Sequence, residues 1–519
     1  MSLRGAMCRA RLGPRARRGA GGAHFLAVLL LFAGCRGAPD GELRVGLATG
    51  IAHLDPHLEN TISSLELLAN VFEPLVALDG EMRVQPCLAS SWSTPDPTTW
   101  VFRIRSGVSF HDGSPLDAPD VVYSLLRPRG DPRLTIASFL SSVKEVSAPS
   151  ADTVVVTTRE PDALLLANLG FVPIVPEGVT GGGLEKSPAG TGPWRVAGWT
   201  PGRELRLQRN ERYWGARPGF ASARVFFSVS GEEAAAGIAS GRWDVLRSSA
   251  TKVRELVGGG QTWAEVRFPN VFLRHLAFDV SREETPFCPG IPNPFRKREV
   301  REAISLALDR SAIARRADDD AVPASQLVPP AIFGFDPAAP PLPRDVDRAR
   351  ALLSAAGYPG GFDVVLHRSG FGGAADEVRT QLAAVGIRVR VEQLPGPEFF
   401  SALDARKLSF WIVADGCATG DALEILLGSF HSPGAPGTGV DNYGGYSSPA
   451  LDARIGEARR ELEPDRRLPR LRAALREALA DGAWVPLYFA RDSLVVRRTI
   501  DFRPRADGLL RLAELRRAR

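Results

Sequence analysis

At 519 residues the chain is too long for one hydrophobic core and has room for two or three domains. Hydrophobic residues make up 44% and charged residues 24%, an ordinary globular balance that argues against long disordered tracts. The formal charge of +5 misleads, because residues 1–34 hold six arginines and no acid; without them the body stands at −1, and the electrostatic case for nucleic acid disappears.

Those arginines, followed by the apolar run "FLAVLLLF" (Phe25 to Phe32), have the form of an export signal. The run is far shorter than the roughly 20 apolar residues needed to span a bilayer core. Ala33 and Gly34 then precede Cys35, a pattern that resembles a bacterial lipobox, although Phe32 stands where leucine is usual. Residues 1–34 are therefore expected to be cleaved, Cys35 to carry lipid, and residues 35–41 to form a polar tether. Of the five cysteines, Cys8 leaves with the signal, which leaves Cys87, Cys288 and Cys417 for at most one disulfide. Cys288–Cys417 is one of the open pairings in an oxidising compartment. The sequence contains no C-x-x-C, so structural zinc has no support and no cofactor is expected.

The body opens with a strand, "ELRVGLA", a loop, "LDPHLENT", and a helical stretch, "SSLELLANVFEPLV". Strict alternation in "TWVFRIR" sets Trp100, Phe102 and Ile104 on one face of a half-buried strand. "KEVSAPSADTVVVTTR" reads as a hairpin, as does "GTGPWRVAGWTPGRELRLQRN" around Pro201–Gly202. The second half changes period. "FRKREVREAISLALDR" aligns Val300, Ile304, Ala307 and Leu308 on one helical stripe. Asp345 is a helix N-cap and Gly357 its stop. "FDVVLHR", "ADEVRTQLAAVG" and "IRVRVEQL" then read strand, helix, strand, a βαβ unit that implies parallel pairing. "PDRRLPRLRAALREALADG" is a further amphipathic helix, and "WVPLYFARDSLVVRR" returns to strand.

None of the candidate catalytic groups assembles into a site. His111–Asp112 sits in "FHDGSPLDAPDVVYSLLR", where Asp112–Gly113 is a turn and Asp117-x-x-Asp120 has the form of a capping box. That stretch is the corner before a helix. His53 and His57 stand four apart like helical zinc ligands, but Pro56 interrupts the span, so a loop anchored by Asp55 is the better reading. "GGGLEKSPAGTGPW" lacks the ending of a phosphate-binding loop, and no G-x-S-x-G elbow exists. The chain is not expected to be an enzyme.

Several blocks together resemble the extracytoplasmic solute-binding proteins of peptide- and nickel-type ABC transporters (family 5), which include the dipeptide- and oligopeptide-binding lipoproteins. They are "LDPHLENT...NVFEPLVALDG", "LASSWSTPDPTTWVFRIRSGVSFHDGSPLDAPDVVYSL", "SPAGTGPWRVAGWTPGRELRLQRNERYWG", "PFRKREVREAISLALDRSAI", "ARALLSAAGYPGGF", "YGGYSSPALDARI" and "VPLYF". They follow the family's order from about residue 42 to 490.

The resemblance implies an α/β, two-lobed clamshell of the periplasmic-binding-protein-like II type with an extra inserted domain. Residues 42–73, 190–272 and 484–519 would form a discontinuous first lobe, 74–189 the inserted domain and 273–483 the second lobe. "FPNVFLRHLAFDV" and "WVPLYF" would cross between lobes. It also implies a monomeric receptor, lipid-anchored outside the cytoplasm, that hands a small peptide or similar solute to an ABC permease and its ATPase. Nickel chelates, haem, opines and oligosaccharides are alternative ligands in related members; a sensor or adaptor role is a further alternative, and an exported hydrolase that keeps this fold is a remoter one. Ligand contacts implied are Asn60, Thr61 and Ile62 after "LDPH", and an aspartate following Trp411 that would pair with a peptide ammonium. Asp415 and Asp421 compete for that role, with turn chemistry as the other reading of both. Of Tyr488 and Phe489, alternation allows one to face the cleft.

Overall fold

Two long strands frame the fold. In a computed structural model, which describes residues 41–518 apart from 60, 180–181, 248–250, 259, 318–319 and 435–436, eleven strands join in one sheet. They are β1 (Glu42–Gly46), β2 (Trp194–Thr200), β3 (Glu204–Arg209), β4 (Ser222–Phe226), β5 (Val245–Leu246), β6 (Trp263–Phe278), β7 (Val322–Pro323), β8 (Asp363–Arg368), β9 (Arg388–Gln393), β10 (Phe410–Gly416) and β11 (Trp484–Arg497). Their spatial order is β9-β8-β10-β6-β11-β5-β1-β4-β3-β2, with β7 added alongside β11.

Only β6 and β11 belong to both halves of this sheet. Their antiparallel ladder runs from Trp263–Arg497 to Pro269–Arg491, shifts register across Asn270–Phe272, and resumes at Leu273–Phe489 on the way to Ala277–Trp484. The first half meets β5, β1, β4, β3 and β2; the second meets β10, β8 and β9. The break is where paired strands lose hydrogen bonds and bend most readily. The two segments expected to cross lie in these strands, "FPNVFLRHLAF" in β6 and "WVPLYF" in the part of β11 that pairs beyond the break. β8 and β9 pair in parallel through the helix Gly372–Ala383, as the βαβ pattern requires.

Each half has its own apolar core. Leu43, Val45, Phe72, Trp194 and Leu207 pack in the first half. The second half is covered on both faces: Val300, Ile304, Leu366 and Tyr488 lie in one cluster, and Trp411, Leu471, Trp484 and Phe489 in the other. Tyr488 and Phe489 thus take opposite faces, in line with the strand period, and both are buried. A separate antiparallel sheet orders Ala89–Asp96, Thr99–Ile104, Thr153–Thr158 and Val143–Ser150, with Trp100 and Phe102 in its core.

Local chemistry explains most element ends. Asp345 accepts a hydrogen bond from Arg348 N at 2.9 Å and caps the helix Val346–Ala355. The expected helix over "SSLELLANVFEPLV" is shorter, α1 (Ile62–Leu68). Asn70 Nδ2 donates to the carbonyls of Glu66 and Leu67, satisfying the helix end, and Pro74 follows. The His111 corner is structural: His111 is buried, its Nε2 is hydrogen-bonded to Gly192 O at 3.0 Å, and its Nδ1 accepts from Gly190 N. A Cβ on Gly190 would lie 2.0 Å from Val71 O, so "GTGPW" needs glycine where that loop meets the chain after α1. Asp55 accepts two bonds from Arg127 and one from His57 N, and His57 Nε2 is bonded to Pro173 O at 2.7 Å. The loop reading of "HLDPH" holds. Cys87, Cys288 and Cys417 are each free and buried, and Cys288 and Cys417 lie in different cores, so the open Cys288–Cys417 pairing is not formed.

Candidate functional site

The break in the β6–β11 ladder opens onto a cavity. Asn270 Oδ1 accepts from Phe272 N at 3.0 Å and its Nδ2 donates to Asp492 Oδ1 at 3.3 Å, which holds the irregular turn and points Phe272 outwards. Phe272 and Val271 form one wall of a cavity of about 290 Å³. Ile62, Leu65 and Leu68 of α1 supply another, and Ala418, two residues past the end of β10, also lines it. A volume near the lower end of ligand-pocket sizes suits a small solute.

The expected contact residues fall in three places. Asn60 lies outside the described residues. Thr61 is the N-cap of α1, its hydroxyl accepting from Ser64 N at 3.3 Å, and Ile62, 53% exposed, lines the cavity. Trp411 is buried in the core and lines a recess too small for more than about one water. Asp421 is also buried: it accepts from Arg467 Nη1 at 2.5 Å and from Leu423 N at 2.9 Å, a structural commitment that leaves little capacity for a ligand. Tyr488 belongs to the core.

Asp415 differs. It sits at the end of β10 with its side chain 24% exposed, and its Oδ2 accepts from His275 Nε2 at 2.8 Å. The His275 ring is stacked on Trp484 with centroids 3.7 Å apart, which fixes the imidazole. Asp441 and Tyr443 share this recess. Burial, with the charge of Asp415 second, pushes the Asp441 carboxyl up to about 6. The recess therefore carries negative potential next to a partly open carboxylate, a setting that favours a cationic group.

The cavity at the ladder break is also lined by Glu73, buried and accepting from Tyr213 Oη at 2.7 Å, Thr191 Oγ1 at 2.8 Å and Trp214 Nε1 at 2.9 Å. Burial pushes its carboxyl up against these three donors. His275, Glu73 and the wall residue Phe272 were not picked out from the sequence. Each gains its role from partners more than 100 residues away, except Phe272, whose role needs the ladder break. Among the described residues no group of three or more metal-ligating side chains exists, and no helix is long and apolar enough to cross a membrane.

The family model for bacterial extracellular solute-binding proteins, family 5 Middle, matches residues 83–437. Protein XP55 of Streptomyces lividans is 28% identical over 441 residues, 80% of this chain and 78% of the relative. The glutathione-binding protein GsiB of Escherichia coli K12 is 25% identical over 467 residues, covering 86% and 88% of the two chains. In three dimensions the chain is similar to the ABC transporter-associated periplasmic binding protein DppA of Helicobacter pylori in complex with the peptide STSA, with a TM-score of 0.78, 21% identity, and 92% and 98% of the chains covered.

Proposed function

The chain belongs to the bacterial extracellular solute-binding proteins, family 5, and from that premise we propose that it is the receptor of an ABC importer for small peptides. The observation that carries the reading is the cavity of about 290 Å³ at the ladder break, walled by α1, by Val271 and Phe272 at the break in β6, and by Ala418 just past β10. A guest touching both walls binds the closed arrangement better than the open one and shifts the balance by that difference. No bond in the guest is made or broken.

Asp415 is the better candidate than Asp421 for the peptide ammonium. It is partly exposed and keeps lone pairs free, whereas Asp421 is held by Arg467. Thr61 and Ile62 contribute from α1, with Asn60 beside them in sequence. Lipid on Cys35 would hold a monomeric receptor at the membrane outside the cytoplasm, beside its permease and ATPase.

A thermal-shift screen of small peptides, metal chelates and sugars against the chain from Cys35 onwards tests the ligand class. A peptide at about 100 times its Kd is expected to stabilise the folded form by about 2.7 kcal/mol. Shifts with sugars or chelates and none with peptides would overturn the peptide reading.

A further inference from the structure

Two segments that flank the separate antiparallel sheet reach across to the second half of the large sheet. The first is the turn Asp79–Arg83, between the paired strands Val76–Leu78 and Val84–Pro86. Asp79 accepts from the backbone N–H groups of Glu81 (3.0 Å) and Arg83 (2.9 Å) and from the side chains of Arg83 and Gln85 (3.0 Å each). That network holds Met82 at a φ of 63°, a left-handed conformation that is costly for a residue with a Cβ. Met82 is nevertheless buried, packed into a core cluster of the second half. Facing it is Gly420, just past β10, with a φ of 77° and a carbonyl that accepts from Phe333 N at 2.8 Å. A Cβ on Gly420 would lie 2.9 Å from that of Met82, so the close fit needs glycine there.

The second segment is the loop Glu160–Leu164. Ala163 N donates at 3.0 Å to the carbonyl of Arg459, in the last turn of the helix Pro449–Arg460, where carbonyls lack an intrahelical partner. The Arg459 side chain donates to Glu160 Oε1 at 3.0 Å and lies 3.5 Å from Asp162 Oδ1. Asp162 is buried, and Leu164 packs in the same cluster as Met82. Both segments ride with the first half. Arg505, close to Phe502 of the first-half core, donates to the carbonyls of Leu78 and Asp79 at 2.8 and 3.1 Å. The separate sheet is tied there through the His111 bonds to Gly190 and Gly192.

These contacts lie outside the ligand cavity: Met82, Glu160, Asp162, Gly420 and Arg459 are all absent from its lining. If the halves part by bending at the ladder break, the contacts are lost, and they are regained on closure. An interaction made in one state alone shifts the balance towards that state. We propose that the Met82 turn and the Glu160–Leu164 loop form a clasp that closes on Gly420 and Arg459, sets the open–closed balance before any ligand arrives, and so tunes affinity from outside the cavity. Its effect on affinity rests on the peptide-receptor reading; the clasp itself needs no ligand.

The test compares the unaltered chain from Cys35 onwards with two single variants by small-angle X-ray scattering and circular dichroism. Met82→Gly removes the side chain while suiting the left-handed turn, and Arg459→Met removes the charge while keeping an extended side chain. Without ligand, each variant is expected to keep the circular dichroism of the unaltered protein and to show a larger radius of gyration. A saturating tripeptide library is expected to restore the smaller radius. Tripeptide affinity falls in proportion to the closed fraction lost, by about ten-fold. Equal ligand-free radii for both variants and the unaltered protein overturn the clasp. Unchanged tripeptide affinity in a variant whose radius has grown overturns it too. If no tripeptide binds the unaltered protein, the peptide reading fails, and the ligand-free radii still decide for or against the clasp. If Met82→Gly fails to fold, Arg459→Met decides.

Discussion

The His275 imidazole lies nearly flat on the Trp484 indole, 3.7 Å between centroids and 19° between planes, and its Nε2 is bonded to Asp415 at 2.8 Å. His275 and Trp484 belong to β6 and β11, the two strands that join the halves of the sheet. The carboxylate proposed for the ligand ammonium is thus oriented by the frame itself.

Replacing Asp415 by Asn is expected to weaken peptides with a free ammonium about 10- to 100-fold, the worth of a charge-assisted hydrogen bond of roughly 1.5–3 kcal/mol. N-acetylated peptides bind the unaltered protein less well and should lose little further. Calorimetric titration of both peptide forms measures this. An equal loss for both forms would place the ammonium elsewhere.

Asp421 is expected to behave in the opposite way. Asp421→Ala leaves Arg467 buried without its carboxylate, and losing one partner of a buried pair costs about 3–5 kcal/mol. Denaturant unfolding should show that loss, while the folded fraction binds peptide with unchanged affinity. Reduced affinity with unchanged stability would reverse the assignments of the two aspartates.

Sequence and structure agree where a signal is local. The period of two in "TWVFRIR" buries Trp100, Phe102 and Ile104, and Asp345 and Gly357 bracket their helix as read. The His111 corner was legible because each neighbouring residue has its own turn or cap role. Asp415 and Asp421 were not separable, because the partner that distinguishes them, Arg467, lies 46 residues further along the chain. The helix over residues 63–76 was read too long because apolar period alone does not register the Asn70 side chain closing the helix end.

Glu424 gives the protein a pH signature. Its carboxylate accepts from Thr419 N and Oγ1 at 2.8 and 2.6 Å, and burial lifts it from 4.5 to about 7. The folded form then holds this proton more tightly than the unfolded chain. The group's contribution to stability is full below about pH 4.5 and is lost as pH rises through about 7. Glu424→Gln is neutral throughout, so the stability difference between the variant and the unaltered protein should grow in the variant's favour over that window. Melting temperatures at matched ionic strength check it, and a difference independent of pH would contradict it.

Cys35→Ser in the full-length chain is expected to move the protein from the membrane fraction to the soluble fraction, since a single apolar run of signal length provides no other anchor. Fractionation of expressing bacteria and mass analysis of the N-terminus read the outcome. Persistence on membranes would point to a different attachment.

The most direct measurement is recovery of the guest itself. The chain from Cys35 onwards, loaded with a tripeptide library, freed of excess and then denatured, is expected to release peptides whose masses match those supplied, in one-to-one proportion with protein. Release of cleaved or otherwise altered peptides, or of none, would contradict a receptor that captures a small peptide and lets it go unchanged.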